Sequence, residues 1–407
     1  MSDRIFLLLG GNKLNNGIMT KFQTLGYKVF VVDWNEHPQL VGDKHFQIDV
    51  KDSESIIDAL KKDDCWDDVV FAYSSIDLAV PSVARINRAI GLKTISDEGL
   101  KYSSSKSMMT KRWNELGLLN RLSKHYNEFD VEILKLNSDV KLIIKPDNSA
   151  SSRGITIVER NTEADEVRKA FEKAKEEASD GIVVVEEFVE GTEFTVEMIG
   201  DAHGNVSVYA VSKKTHTKNT VNNRIAVKLH YNAVDNALQK RIAEYGARCY
   251  RALHFSSSLG HLEVIVKNDG NISPVEIGAR SSGYIASDLV DIASGSSFLE
   301  DLIRVQNGAE VSDGFHPQTE KSSMYFFYDF PGGFTVMNEC NLLDFCDDSI
   351  RSRYYDRGNL TKGTTFALID NDNARFGFEI LEGPKTVMTG EYIEEKERMM
   401  LARMMGD

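Results

Sequence analysis

The apolar residues of this chain fall first into short unbroken runs separated by helical stripes. Residues 4–9 (RIFLLL) end at Gly10-Gly11, residues 28–32 (KVFVV) at Asp33, and residues 69–73 (VVFAY) at Tyr73-Ser74-Ser75. Between the runs, Ile18, Phe22 and Leu25 share one helical face, as do Ile56, Ile57 and Leu60. A further helix is predicted over 78–90, where Pro81 sits in a first turn that tolerates it. This β-α-β-α-β order predicts an open parallel sheet with helices on both faces. Its strand ends would line a crevice at the carboxyl edge.

The pattern then changes. A helix is expected over 104–116, with Met109, Trp113 and Leu116 buried. Residues 141–158 (KLIIKPDNSASSRGITIV) read as two apolar strands joined by a loop of small residues. That loop is longer than the usual hairpin turn, and its backbone N–H groups could approach an anion closely. The residues alone leave an ordinary exposed hairpin and a flap over phosphates equally open. A helix follows at 163–178, with Thr162 and Asp165 resembling a capping box. Next come a strand at 182–188 (IVVVEEF) and alternating strands at 193–199 and 206–212. Residues 213–230 (KKTHTKNTVNNRIAVKLH) show no clear period and are read as a long basic loop. Their His216 and His230 are candidate bases, each more simply a loop residue. A helix at 236–252, strands at 262–266 (LEVIV) and 272–277 (ISPVEI), a helix at 297–307 and a linker at 311–320 complete this part. The remainder is rich in strands and turns and ends in a charged, Met-rich helix at 390–405.

Length and charge narrow the classes. A chain of 407 residues suggests more than one domain. The 62 acidic against 48 basic side chains leave a net charge of −14, which disfavours nucleic acid and anionic membrane as partners. The segment MSDRIFLLLGGN is too short in apolar residues for a signal peptide, and no run approaches a membrane span. Cys65, Cys249, Cys340 and Cys346 are scattered, which fits free thiols in a reducing, cytoplasmic setting.

Three groups of residues carry chemistry. Lys106, in the first turn of its helix where a cation is disfavoured by the dipole, and Lys145, at the end of IIKP, could meet a polyphosphate from two sides. Each cation–anion pair at about 4 Å is worth about 4 kcal/mol at an effective dielectric of 20 but about 1 in water. Glu186-Glu187-Phe188-Val189 runs to a turn at Gly191 and then Glu193. Such a segment can offer peptide groups to a purine edge and a carboxylate to ribose hydroxyls; the plainer reading is solvated edge-strand acids. Glu263 and Glu276 lie on two neighbouring apolar strands, where unpaired acids are rare. A shared Mg²⁺ or Mn²⁺ suits such hard oxygen ligands, and a salt bridge to Arg280 is the alternative. Asp33 could meet a ribose, but a structural or substrate-edge role is favoured, since GGNKLNNG lacks the dinucleotide glycine fingerprint and no P-loop motif occurs. A nicotinamide-dependent oxidoreductase is therefore disfavoured.

Taken in order, the lysine at a helix start, I-I-K-P with its small-residue loop, V-E-E-F-x-x-G-x-E, the Glu of LEVIV and E-x-x-x-R-x-x-G resemble the ATP-grasp superfamily, from residue 1 to about 310. The resemblance implies an α/β and α+β protein in three parts. Residues 1–100 would be a Rossmann-like domain similar to that preceding the ATP-grasp region in biotin carboxylase and carbamoyl-phosphate synthetase. Residues 101–310 would be the nucleotide-binding region, with a small lobe at about 121–188 and a large lobe at about 189–310. Residues 311–407 would be a C-terminal β-rich lobe. It implies ATP and Mg²⁺ (or Mn²⁺) as cofactors. Lys106 and Lys145 would contact phosphates, with Ser149, Ser151, Ser152 and Gly154 in a closing loop. Glu186, Glu187, Phe188 and Val189 would hold adenine, Glu193 the ribose, and Glu263 and Glu276 the metal. Arg280 would face an acyl phosphate or substrate carboxylate, so that Arg280 and Lys145 are the expected catalytic groups. One departure stands out: many members have Glu-x-Asn-x-Arg where this chain has Glu276-Ile277-Gly278-Ala279-Arg280. Glycine there is similar to some carboxylate–amine (L-amino acid) ligases. The activity implied is ATP-dependent amide or peptide bond formation from small carboxylate and amine substrates, with amino acids the expected class. A bicarbonate-activating carboxylase and a non-catalytic ATP sensor are the rivals, and a homodimer is an open expectation.

Overall fold

The structure is a computed structural model that describes residues 4–148, 153–218, 225–282, 286–316, 318–358, 360–369 and 374–406. Strand β1 (Ile5–Leu9) is buried along its whole length because it has a core on each face. Phe6 and Leu8 pack with Ile18 and Phe22 of α1 (Asn16–Thr24), while Ile5, Leu7 and Leu9 pack with Ile56 and Leu60 of α2 (Ser53–Lys62). With β2 (Lys28–Asp33), β3 (Lys44–Gln47) and β4 (Val69–Tyr73) it forms a parallel sheet of order β3-β2-β1-β4. The sequence pattern omits β3 because this edge strand (KHFQ) is only partly buried and carries no apolar run. Helices α3 (Val80–Ala89), α4 (Asp97–Ser103) and α5 (Lys106–Glu115) lead out of this sheet. Met109 and Trp113 of α5 are buried as expected, whereas Leu116 is exposed.

A four-stranded antiparallel sheet comes next, of order β5-β8-β6-β7. Its elements are β5 (Ser123–Tyr126), α6 (Val131–Asp139), β6 (Leu142–Pro146), β7 (Thr156–Val158), α7 (Ala164–Glu177) and β8 (Val183–Glu187). Alternation sorts its faces. Leu142, Ile144, Val183 and Val185 pack under Val167, Phe171 and Ala174 of α7. The register Ile143↔Glu186 and Lys145↔Val184 puts Lys145 and Glu186 together on the opposite face. The expected capping box is not formed: Glu163 is the N-cap residue of α7 and makes no side-chain cap.

The third sheet has nine strands. It contains β9 (Thr192–Gly200), β10 (Val206–His216), β11 (Ala226–Tyr231), β12 (Ser258–Val266) and β13 (Ile272–Gly278), with α8 (Asn236–Ala252) on one face. After α9 (Ala286–Ser294) and α10 (Phe298–Gln306), the short β14 (Gly314–Phe315) pairs with β10 inside the expected linker. Strands β15 (Lys321–Tyr328), β16 (Arg351–Asp356) and β17 (Phe376–Pro384) then continue the same sheet, giving β13-β12-β9-β10-β11-β15-β17-β16, and α11 (Gly390–Met405) closes the chain. The C-terminal strands therefore extend the large sheet through the β11–β15 pair instead of building a sheet of their own.

The stretch 213–230 is not a long loop but, in its described residues, the paired ends of β10 and β11. It looks aperiodic because both of its faces are buried and both carry polar groups. Lys214 and His216 lie on one face. On the other, Lys228 pairs with Glu397 of α11, and His230 is buried against Ser322 at 2.8 Å. Among the described residues no helix is long and apolar enough to cross a membrane, and the four cysteines are free thiols.

Candidate functional site

Two sheets face each other across the connection 188–191. Gly191 is required at its end: a Cβ there would lie 2.3 Å from the carbonyl oxygen of Val266, so β12 packs directly on the turn. On the small sheet, Lys145 is buried and its Nζ donates to Glu186 Oε2 at 2.8 Å. Arg121 reaches the same oxygen at 3.0 Å, and Ser123 Oγ donates to Oε1 at 3.0 Å. Burial alone would raise the Glu186 carboxyl; Arg121 and Lys145 outweigh it and hold the group down at about 2. Arg121 also donates to Ser273 Oγ at 2.8 Å and to the carbonyl of Pro274, so it ties the small sheet to β13. Lys106 is brought near Lys145 by Asp147, one residue past β6. Its carboxylate accepts from Ser107 N at 2.5 Å and its carbonyl from Lys106 N at 3.3 Å, docking the start of α5 on the end of β6.

On the large sheet, register assembles the acids. Glu263 and Glu276 are direct cross-strand partners on β12 and β13. Glu263 also faces Thr195 of β9, and Glu193 pairs in register with Lys214 of β10. Lys214 Nζ donates to Glu193 at 2.8 Å and Glu263 at 2.6 Å, and Lys106 Nζ to Glu276 at 3.1 Å. Despite burial, which would raise them, both carboxyls are held low, Glu263 chiefly by Lys214 and Glu276 chiefly by Lys106. One row further along, His261 lies opposite Glu197 and bonds it at 2.6 Å. Burial would depress this imidazole, and Glu197 instead lifts it to about 9.

The structure thus brings Lys106, Lys145, Glu186, Glu193, Glu263 and Glu276 into one cleft. The expected alternative, a salt bridge between Glu276 and Arg280, is absent from the described contacts: Arg280 pairs with Asp77, in the turn that follows β4 of the N-terminal sheet. Glu186 differs from the expectation of an adenine contact. Its carboxylate is committed to Lys145 and Arg121, and its strand is paired on both sides, to β5 and β6. Glu187 accepts weakly from Leu122 N at 3.4 Å, and Phe188 N donates to Lys141 O at 2.8 Å. Val189 is buried in the connection between the sheets. Gly154 forms a left-handed turn (φ +72°) beside Glu177, while Ser149, Ser151 and Ser152 lie outside the described residues. Asp33 accepts from Gly11 N at 2.7 Å and from Asn35, a structural use of its carboxylate. Of the two histidines, His216 approaches Glu193 at 3.4 Å. His230 is turned away under α11, where burial and then Lys228 and Lys213 push it down to about 3.

Glu263 and Glu276 fit a magnesium ion. They are two ionised oxygen donors side by side, balanced in this structure by lysine chains long enough to move, and Mg²⁺ is commonly held by one or two carboxylates together with substrate phosphates. Gly278 adds no donor, and among the described residues no cluster of three ligating side chains occurs. Arg121, Lys214, Asp77 and Asp147 were not picked out by sequence reasoning. Lys214 lies in a basic stretch without clear period, and Arg121, Asp77 and Asp147 act through partners distant in sequence.

Comparisons with known proteins bear on the fold. Residues 138–288 match the family model described as ATP-grasp domain. The chain is 27% identical over 218 residues to a D-alanine–D-alanine ligase of Cupriavidus taiwanensis, covering 51% of this chain and 64% of that protein. The chain spans between about a quarter and two-thirds of the length of the curated relatives it matches. Among solved structures, an L-amino acid ligase from Bacillus licheniformis superposes with a TM-score of 0.72 at 17% identity, covering 99% of this chain and 98% of that one. An ADP complex of an N5-carboxyaminoimidazole ribonucleotide synthetase superposes at 0.70 with 14% identity, covering 100% and 99%. Residues 138–288 are therefore similar to ATP-grasp domains, and the chain shares the fold of these solved structures along nearly its whole length.

Proposed function

We propose that the protein is an ATP-dependent carboxylate–amine ligase acting on small substrates of the amino-acid class. One observation carries this reading: Lys106 and Lys145 converge on a cleft whose other wall presents Glu263 and Glu276 in register. We read residues 1–100, 101–310 and 311–407 as its three parts. The amino-acid class is supported by the curated relatives, which are D-alanine–D-alanine ligases, and by the likeness to an L-amino acid ligase.

In this account Lys145 and Lys106 neutralise the phosphates of ATP, Glu193 accepts from the ribose, and the peptide groups of 188–191 border the adenine. Glu263 and Glu276 would hold magnesium, which when bound would supply neutralisation of phosphate charge. A carboxylate oxygen of the first substrate attacks the γ-phosphorus, giving an acyl phosphate and ADP. The amine of the second attacks the carbonyl carbon, and phosphate leaves with the former carboxylate oxygen. Positioning and a dry cleft supply most of the acceleration. The test is phosphate release from ATP and Mg²⁺ with amino acids offered singly and in pairs. Stimulation by a pair is expected. Stimulation by bicarbonate and a purine-pathway amine alone would overturn the reading in favour of a carboxylase.

A further inference from the structure

Arg280 is four residues beyond Glu276, yet its partner, Asp77, comes from the turn after β4. Its Nε donates to Asp77 Oδ1 at 2.7 Å and its Nη2 to Asp77 Oδ2 at 2.6 Å, a two-pronged fork. Its Nη1 donates to the carbonyl of Ser281 at 2.9 Å. A guanidinium has five N–H groups in a rigid plane. Three are used in these bonds. The Nε–Nη2 side of the plane is pinned by Asp77, and the second Nη2 N–H, on the outer edge, has no partner among the described residues. A donor on that edge suits an oxygen of a carboxylate or phosphoryl group. The charges of Glu276 and Glu263 both act at Arg280, and Glu276 lies four residues before it on β13, in register with Glu263 of β12.

Position 278 gives an independent observation. A Cβ on Gly278 would lie 2.9 Å from Asp77 Oδ1, 3.3 Å from Arg280 Cγ and 3.4 Å from Arg280 Cζ. The fork fills the space that a side chain at 278 would need. The same two segments meet a second time where the Tyr73 hydroxyl lies 2.5 Å from Ser281 Oγ, in a buried contact. The glycine, the fork and the tyrosine–serine contact together form the seam between the end of β4 and the segment after β13.

We propose that Asp77 is a positioning residue, which holds the outer edge of Arg280 toward the oxyanion in transfer, and that Gly278 is free of a side chain so that Asp77 can reach it. The oxyanion class is a phosphoryl group or a carboxylate bound beside the metal acids. The site is then complete only with the N-terminal part docked, because the turn after β4 orients an arginine of the segment after β13. This inference rests on the ligase reading for the identity of the oxyanion.

The test compares wild type, Asp77→Asn and Gly278→Ala for binding of inorganic phosphate to the Mg·ADP complex by titration calorimetry. Asp77→Asn keeps the volume but turns one acceptor into a donor facing the guanidinium. Phosphate affinity should fall at least tenfold in both variants, with Mg·ADP affinity within twofold of wild type, since Lys106 and Lys145 are untouched. Where turnover is measurable, kcat should fall with little change in the KM for ATP. Equal phosphate binding by wild type and Asp77→Asn, parallel losses of phosphate and Mg·ADP affinity, or no phosphate binding by wild type would each overturn the proposal. A wild type that binds phosphate but is stimulated by no carboxylate would overturn the ligase reading alone, and the comparison of variants would still decide the role of Asp77.

Discussion

The two walls of the cleft solve opposite electrostatic problems in different ways. On the small sheet a cation, Lys145, is buried and fixed: Glu186 and Arg121 form with it a closed network, satisfied further by Ser123. On the large sheet two acids, Glu263 and Glu276, are balanced by lysines that arrive from other elements, Lys214 and Lys106, with His261 a further partner of Glu263 at 3.8 Å. A buried charge is tolerated only when paired, and both walls obey that rule. The difference lies in which partner can leave. Glu186 sits on a strand paired on both sides and cannot follow a ligand. Lysine side chains are flexible and can turn from a carboxylate to a phosphate. On the proposed reading, the small wall would be a preformed anchor for anions, and the large wall a cation site whose lysines would exchange roles when a metal–nucleotide complex arrives.

The comparison breaks first at Glu186. Glu186→Ala leaves Lys145 and Arg121 buried without their shared acid, and breaking such a pair costs about 3–5 kcal/mol. Urea denaturation measures this; a loss below about 1 kcal/mol would show that the small wall is not a fixed network. Lys145→Met should be gentler on the fold, because Arg121 and Ser123 still satisfy Glu186. It should raise the ATP concentration for half-saturation at least about tenfold, the equivalent of ~1.4 kcal/mol, in nucleotide titrations. On the large wall, Glu276→Gln should raise the Mg²⁺ requirement about tenfold with little change in stability, read from magnesium titrations of ATP turnover beside melting curves. A matching loss of stability would mean that this wall is as rigid as the other. The smallest effect is on pH. The Glu186 carboxyl lies at about 2 in the fold and near an ordinary ~4.3 when unfolded. Its contribution is full above the unfolded value and fades as pH falls toward the folded one. The stability gap between wild type and Glu186→Gln should therefore narrow from pH 5 to pH 3, the range to be compared by denaturant titration.

Much of this arrangement was legible before the structure. The helices over 236–252 and 390–405 end where their apolar stripes and caps end. Lys106, Lys145, Glu193, Glu263 and Glu276 could be named because each stands at the end or on the inner face of a recognisable run. What stayed hidden shares one cause. Edge strands β3 and β5 are polar and partly exposed, so no apolar run marks them. The β10–β11 hairpin is polar on both faces because α11 covers one and the cleft the other. Arg121, Lys214 and Asp77 act through partners 21 to 203 residues away, set by sheet register and docking. For Asp77 the signal lay close at hand: Tyr73-Ser74-Ser75 was already placed at the crevice, two residues short of it. The Gly278 departure marked the same place from the other side of the seam.

The most direct test of the central claim follows one oxygen atom. With a stimulating amino-acid pair in hand, the carboxylate substrate is labelled with ¹⁸O and the phosphate released from ATP is weighed by mass spectrometry. The account predicts phosphate carrying one ¹⁸O, because the attacking carboxylate oxygen departs with the phosphoryl group. Unlabelled phosphate, released at the same rate as product forms, would contradict it.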